Sequence, residues 1–522
     1  MSNTTPLNSS FLSELLSSLS VSITRLVTDS RAIKRGDTFV AYPGETTDGR
    51  QFIGQAIANG ANAVMWEAQD FIWSEAWQIP NLAIADLRQH AGEIADHVYG
   101  NPSKNLWVIG ITGTNGKTSC SHWIAQLFCA LNRRTALIGT LGNGFLQQNS
   151  LDDLQPTLNT TPNAIVVHGL LADYLAQGAQ VVAMEVSSHA LEQNRVNGVQ
   201  FDVALLTNLS RDHLDYHGDM QHYAAAKRRL FDSPHLKYAV LNLDDPFGTE
   251  LAVQLQDKSL EVIGYGLTDA ALAQAERIGM RMVYGGALRM DGQGFSVQVH
   301  SSWGSGELHS TLLGRFNAAN QLAVLAVLLV SGVALADALR ELARVRAVPG
   351  RMQTLGGNGR PTVVVDYAHT PDALEKVLQA LREVASANKG NLICLMGCGG
   401  DRDQGKRPIM GAIAARLADR CIVTSDNPRS ENPHDIISAI VAGMDSVPAL
   451  SRPSTNGASY QIIEDRALAI TQAIQDARAI DTVLVAGKGH EMYQELNGVK
   501  YPFSDTEMAR HALQLWREEV RI

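Results

Sequence analysis

GTNGKTS, residues 113–119, decides how this 522-residue chain is read. The apolar run LWVIGI (106–111) leads into it, and SCSHWIAQLFCAL (119–131) leads out. The first fits a covered strand and the second a helix. Glycines in such a turn let backbone N–H groups close on an anion, and the helix N-terminus favours negative charge. Gly113, Thr114, Asn115, Gly116, Lys117, Thr118 and Ser119 are therefore candidate ATP contacts. Lys117 suits the β- and γ-phosphates, and the Thr118 hydroxyl suits Mg2+. The segment departs from the commoner GxxxxGK[ST] because Ile111 holds the first glycine position. A glycine turn without a nucleotide is the bland alternative.

Outward from this loop, TALIG (135–139), VVAMEV (181–186), VALLTN (203–208) and YAVLNL (238–243) alternate with helical stretches. That pattern predicts a covered parallel sheet in a central ATP-binding domain, residues 106–340. Residues 260–312 are β-rich and punctuated by glycine, which predicts a small antiparallel insert. FNAANQLAVLAVLLVSG (316–332) predicts a long helix stopped at Gly332. Residues 1–105 form a smaller α/β unit, with NPSKN (101–105) as a linker. Residues 341–522 form another, with strands TVVVD (362–366), NLICLM (391–396), RCIVT (420–424), YQIIE (460–464) and TVLVA (482–486). One of its helices opens at Thr370-Pro371, an N-cap followed by a first-turn proline. The predicted fold class is α/β in three domains: a smaller N-terminal α/β unit, a central P-loop-type parallel sheet and a C-terminal Rossmann-like domain.

Bulk composition narrows the function. Lys and Arg total 43 against 53 Asp and Glu, a net charge of −10. An acidic chain lacks the basic face that broad nucleic-acid binding needs, although single loops can still hold small anions. Cys120, Cys129, Cys394, Cys398 and Cys421 form no CxxC and read as reduced thiols. MSNTTPLNSSFLSELL lacks a signal-peptide pattern, and LAVLAVLLV (322–330) is too short to span a bilayer. A cytoplasmic protein without membrane insertion is expected, acting as a monomer.

Four C-terminal strands are followed by polar loops: DYAHTPD (366–372), GCGGDRDQGKRP (397–408), SDNPRSENP (425–433) and GKGHE (487–491). Ligands bind outside the carboxyl ends of strands in open α/β sheets, so these loops are predicted to share one crevice. Within it, Arg429 is either a solvated turn residue or a guanidinium held for a carboxylate. In MEVSSHAL (184–191), Glu185 is a Mg2+ ligand near the phosphate loop or a surface acid. In TNLSRDHLDYHG (207–218), His213 and His217 are metal ligands or cap and core histidines. Lys227, in YAAAKRRLF (223–231), reads by itself as a solvated lysine.

Taken together, these motifs resemble the Mur ligases, ATP-dependent amide-forming enzymes of peptidoglycan precursor synthesis. TGTNGKT, MEVSSHAL, TNLSRDHLDYHG, the lysine of YAAAKRRLF, GRFNAAN (314–320), PGRMQ (349–353), VVDYAHTPDAL (364–374) and GKGHE occur in family order, essentially end to end. The nearest branch adds the third residue of the stem peptide, and GCGGDRD and DNPR resemble its meso-2,6-diaminopimelate-adding members rather than the lysine-adding ones.

The resemblance implies roles residue by residue. Lys117, Glu185, His213 and Lys227 are the catalytic set. Thr118, Glu185, His213 and Lys227, carbamylated, are the implied metal ligands. Asn317, Arg351 and Asp366 join the phosphate loop around ATP. The UDP-N-acetylmuramoyl-L-alanyl-D-glutamate substrate is implied at Thr28, Ser30, Glu45, Thr46, Thr47, Asn159, Thr160, Thr161, Ser187, Gln193 and Arg195. An acidic Glu45 is a poor direct phosphate contact. Arg402, Asp426, Asn427, Pro428, Arg429, Gly487 and Glu491 are implied for diaminopimelate. Arg429 would take its distal carboxylate, and Glu491 with Asp426 or Asn427 its distal ammonium. The alternatives are a similar ligase for another amino acid, a folylpolyglutamate-synthetase-like ligase, or a nucleotide-gated binding protein that joins nothing.

Overall fold

The computed structural model describes residues 9–45, 47–146, 154–157, 159–290, 293–448 and 460–517. Three sheets follow one another along the chain. The first contains β1 (Leu26–Val27), β2 (Thr38–Ala41), β3 (Ala63–Glu67) and β4 (Asn81–Ile84), all parallel and in sequence order.

The central sheet has ten strands. They are β5 (Trp107–Thr112), β6 (Thr135–Gly139), β7 (Gly142–Phe145), β8 (Val181–Glu185), β9 (Val203–Leu206), β10 (Tyr238–Asn242), β11 (Glu261–Gly266), β12 (Arg281–Met290), β13 (Phe295–Ser301) and β14 (Gly304–Ser310). Their spatial order is β14-β13-β12-β11-β10-β9-β5-β8-β6-β7. Thus β5 lies between β8 and β9, parallel to both, and the loops after all three emerge at one edge. That placement makes the site, because the phosphate loop continues from β5.

Alternation along β5 sends Ile109 and Ile111 to one face and Val108 to the other, and each face has its own apolar core. The first core includes the helix Arg315–Val330, whose residues 322–330 are all buried. Burying each large aliphatic side chain contributes about 1.5–3 kcal/mol. The 322–330 run is therefore a core helix. Among the described residues, no helix is long and apolar enough to cross a membrane.

Two expectations change. Residues 260–312 do not form a separate insert. β12 pairs in parallel with β11 and antiparallel with β13, so the hairpins extend the central sheet. NPSKN is not a loose linker either. It forms a 3-10 turn over Pro102–Asn105 with Pro102 and Ser103 buried, and Ser103 Oγ accepts from Gln200 N at 3.1 Å.

The third sheet comprises β15 (Gln353–Gly356), β16 (Thr362–Asp366), β17 (Leu392–Met396), β18 (Arg420–Val423), β19 (Tyr460–Ile462) and β20 (Thr482–Ala486), ordered β15-β16-β20-β17-β18-β19. Only β15 runs antiparallel. Thr370 caps the helix Pro371–Ala387, its side chain accepting from Ala373 N at 3.2 Å. A hairpin of β21 (Tyr493–Leu496) and β22 (Val499–Pro502) follows. All five cysteines are free thiols.

Candidate active site between the central and C-terminal sheets

The phosphate loop is fastened from the strand beside it. Thr207 Oγ1 and Asn208 Nδ2 donate to the Asn115 carbonyl at 2.6 and 3.0 Å, and Asn208 Oδ1 accepts from Asn115 N at 3.0 Å. Gly113 has φ 141°, and a Cβ there would stand 1.9 Å from Thr207 Oγ1, so only glycine permits the approach. Lys117 Nζ donates to the carbonyls of Gly113 and Thr114 at 2.8 and 3.0 Å. Both acceptors are neutral, so its charge stays available to a polyanion.

Glu185 closes β8, the neighbour of β5, and is buried. Thr118 Oγ1 donates to it at 2.9 Å, and Thr140 adds N–H and Oγ1 contacts at 2.8 and 3.0 Å. A carboxylate beside hydroxyls is a hard oxygen donor set that suits Mg2+. His213 has φ 55° and lies with Nε2 3.3 Å from Asp212 Oδ2. His217 is buried, and its Nε2 lies 2.9 Å from Ser188 Oγ, so it is the packed histidine of the two. Among the described residues no group of three or more His, Cys, Asp and Glu is placed to hold a metal. The implied set contains only two such residues, so it needs the Thr118 hydroxyl, phosphate oxygens and a carbamate.

Lys227 is buried, not solvated. Its Nζ donates to the Gly113 carbonyl at 2.9 Å and lies 4.4 Å from the Tyr223 ring centre. Burial, then the charge of Lys117, holds its pKa well below the ordinary lysine value.

The C-terminal unit supplies the opposite wall of a 610 Å³ cleft lined by Thr114–Ser119, Thr160, Glu185, Ser187, His213, Asn317, Arg351 and Asp366. Arg351 Nη2 donates to Thr118 Oγ1 at 3.2 Å, and its guanidinium stacks 4.2 Å from the Tyr367 ring centre. Its Nη1 is buried without a hydrogen-bond partner among the described residues. A buried cationic donor left open beside a phosphate loop suits a nucleotide phosphate. Asp366 Oδ2 accepts from Met352 N at 2.7 Å, and burial raises its pKa to about 6. Asn317 donates to the Leu313 carbonyl at 2.8 Å. Asn115 Nδ2 reaches Asp372 at 3.1 Å and thereby ties the phosphate loop to the C-terminal helix.

A second cavity, 620 Å³, lies where the first unit meets the central one. Thr28, Ser30, Glu45, Thr47, Asn159, Gln193 and Arg195 line it. Ser30 Oγ donates to Gln55 at 2.7 Å, and Asn163 donates to Thr28 Oγ1 at 3.2 Å. Arg195 is held by the Gln193 side-chain oxygen and the Thr161 carbonyl. Thr46 lies outside the described residues. Thr161 belongs to neither lining. It is fully buried, and its hydroxyl donates to the Glu185 carbonyl at 2.7 Å, a job of holding the loop.

The four C-terminal loops do converge. Arg429 Nη1 donates to the Gly400 carbonyl at 2.7 Å, and its Nε lies 3.6 Å from Glu495. Asn427 donates to Glu491 at 2.7 Å. Lys488, fully buried, donates to Asn427 Oδ1 and Glu491 Oε2 at 2.9 and 2.8 Å. Pro428 accepts from Glu431 N at 3.0 Å. Asp426 is buried, and a Cβ on Gly487 (φ 120°) would stand 2.5 Å from its Oδ2. Arg402 stands apart. It is exposed and donates only to the neighbouring Asp401 carbonyl among the described residues.

Residues 22–99 match the Mur ligase family, catalytic domain; 111–328 match the Mur ligase middle domain; and 350–489 match the Mur ligase, glutamate ligase domain. The chain belongs to the Mur ligase family. A Nitrosomonas europaea protein named UDP-N-acetylmuramoyl-L-alanyl-D-glutamate–2,6-diaminopimelate ligase is 50% identical over 510 residues, covering 96% of this chain and 94% of its own. A Chromobacterium violaceum protein of the same name is 50% identical over 503 residues, covering 96% of each. A solved structure of that name is 37% identical, with a TM-score of 0.64 over 94% of this chain and 95% of its own.

Several residues of this Mur ligase that shape the cleft were not singled out in the sequence. Thr140 orients Glu185 from the end of β6, and Asp212 stands beside His213. In the C-terminal crevice, Lys488 donates to Glu491, the acid expected to meet an incoming ammonium. Of these, Asp212 lies in TNLSRDHLDYHG and Lys488 in GKGHE. Thr140 gave no signal beyond following a strand.

Proposed function

We propose that this Mur ligase adds meso-2,6-diaminopimelate to the D-Glu γ-carboxylate of UDP-N-acetylmuramoyl-L-alanyl-D-glutamate, with ATP consumed, in peptidoglycan precursor synthesis. The γ-carboxylate attacks the γ-phosphorus of ATP, and the bond to ADP breaks. The amine of diaminopimelate attacks the resulting acyl phosphate and loses a proton. The tetrahedral adduct then expels phosphate and leaves the amide. Two anions meet in the first step, so Lys117 and Arg351 offset their repulsion and hold the phosphates in line. Thr118, Glu185, His213 and carbamylated Lys227 would hold Mg2+, which adds charge neutralisation. Asn317 and Asp366 face the nucleotide. The 620 Å³ cavity takes the UDP-muramyl substrate. This reading includes a monomer in the cytoplasm.

Arg429 carries the choice of acceptor. Its guanidinium rests on a neutral carbonyl within a crevice of four loops, with 22% of the side chain exposed. A planar fork there rewards the second carboxylate that distinguishes diaminopimelate from lysine. Asn427 and Glu491 meet the distal ammonium beside it. Lys488 shares Glu491, so the pocket places that carboxylate without leaving it bare. Arg402 adds positive charge at the rim.

ADP release by the purified enzyme, with UDP-muramyl dipeptide and ATP present, tests the reading. Diaminopimelate should drive turnover, and L-lysine and L-ornithine should drive it at least about a hundredfold less well, the cost of leaving a polar site unpaired. Equal use of lysine would refute it.

A further inference from the structure

The acidic residue at the rim of an anion cavity needs an account. Glu45 lines the 620 Å³ cavity, and its carboxylate alone would repel a diphosphate. It is not alone. Arg88, in the first turn of the helix Leu87–Val98, lines the same cavity and donates through Nη2 to Glu45 Oε1 at 2.7 Å.

Three arginines line this cavity, and they are differently committed. Arg31 is gripped twice by Asp29, Nε to Oδ1 at 2.9 Å and Nη2 to Oδ2 at 2.8 Å. Among the described residues, Arg195 is held only by neutral oxygens of Gln193 and Thr161. Arg88 makes the single Glu45 contact, leaving Nε and Nη1 uncommitted among the described residues. Tyr42, Glu45, Arg88 and Arg195 line the one cavity, where the first and central units meet.

We propose that Arg88 binds the diphosphate of the UDP-sugar substrate, and that Glu45 holds its guanidinium in place until that anion displaces the carboxylate. This rests on the function proposed above for the cavity. The diphosphate is the covalent joint between uridine and sugar, and Arg88 stands at the joint between the two units that line their site. An ion pair with 31% and 47% of its side chains exposed is weak, so exchanging it is cheap. A diphosphate returns more charge and several acceptor oxygens to the guanidinium fork.

The test is calorimetric titration of UDP into the whole enzyme, without ATP or acceptor. The unaltered enzyme, Arg88→Ala, Arg88→Lys, Glu45→Gln and the Arg88→Ala/Glu45→Gln pair are compared, with uridine as the uncharged control. Arg88→Ala should weaken UDP binding about tenfold or more, the scale of a lost charged hydrogen bond. Arg88→Lys, which keeps charge and fold, should fall between. Glu45→Gln should bind UDP at least as tightly as the unaltered enzyme. The double variant should stay several-fold weaker, and uridine should bind all five alike. Unchanged UDP affinity in Arg88→Ala would overturn the role of Arg88. So would full recovery in the double variant, since Arg88 would then merely neutralise Glu45. Failure of the unaltered enzyme to bind UDP would sink the reading of the cavity, and this proposal with it.

Discussion

The phosphate-loop cleft and the acceptor crevice solve opposite electrostatic problems. In the cleft, Lys117 rests on two backbone carbonyls, and Arg351 keeps one buried nitrogen open among the described residues. Neither Lys117 nor Arg351 forms a direct ion pair there among the described residues. In the crevice, Lys488 is already matched to Glu491, and Asn427 is held between them. Charge there is mostly settled, and Arg429 offers a fork steadied by the Gly400 carbonyl and, at 3.6 Å, by Glu495. The first region suits a ligand recognised by its total charge, the second a ligand recognised by where its charges lie.

That contrast can be broken most sharply in the cleft. Lys117→Ala should cut acyl-phosphate formation by about a thousandfold, since a preorganised cation at the transferring phosphoryl group is lost. Retained ADP production would mean that the cleft does not work by stored charge. Lys227→Ala should cost about a hundredfold or more in turnover. Short carboxylates such as formate or acetate should restore part of it, by standing in for the carbamate. Full activity without rescue would remove the carbamate.

The crevice should respond selectively instead. Arg429→Ala should raise KM for diaminopimelate about a hundredfold while moving KM for ATP by less than about threefold, because the partner proposed for it is the acceptor alone. Equal shifts in the two constants would blur the division between the regions.

The smallest effect concerns stability. Asp366 is held at about pKa 6 by burial, above its ordinary value of 3.8. An acid with a raised folded pKa binds its proton more firmly when folded, so it contributes most stability at low pH and loses it as pH rises toward 6. Asp366→Asn should therefore be more stable than the unaltered protein above pH 6, by up to about 3 kcal/mol, with the gap closing below pH 4. Chemical denaturation at pH 4 and pH 8 reads this directly. An unchanged gap would mean that the carboxylate is not penalised by its surroundings.

Local pattern foretold most of the cleft and less of the crevice. GTNGKTS between an apolar run and a helix reports its own geometry, because a phosphate loop is built from consecutive residues. Thr370-Pro371 likewise announced a cap that the helix uses. By contrast, Lys488 meets Asn427 across 61 positions, and no spacing in GKGHE reveals which side chain it satisfies. Thr140 reaches Glu185 across 45 positions for the same reason. The strands β12–β14 were misjudged as an insert because a hairpin pattern fixes pairing within itself, not which sheet edge it extends. Burial of Lys227 was hidden too. In YAAAKRRLF three basic residues stand in a row, and only the fold decides which one turns inward.

Arg429 has φ 52°, a left-handed backbone that glycine adopts freely and any residue with a Cβ resists at a cost of about 1 kcal/mol or more. Glycine at that position would relax the loop while erasing the contact proposed for the incoming amino acid. On the role proposed for Arg429, a mutation that made the loop sturdier would make the enzyme less discriminating, so stability and acceptor choice pull on one torsion angle in opposite directions.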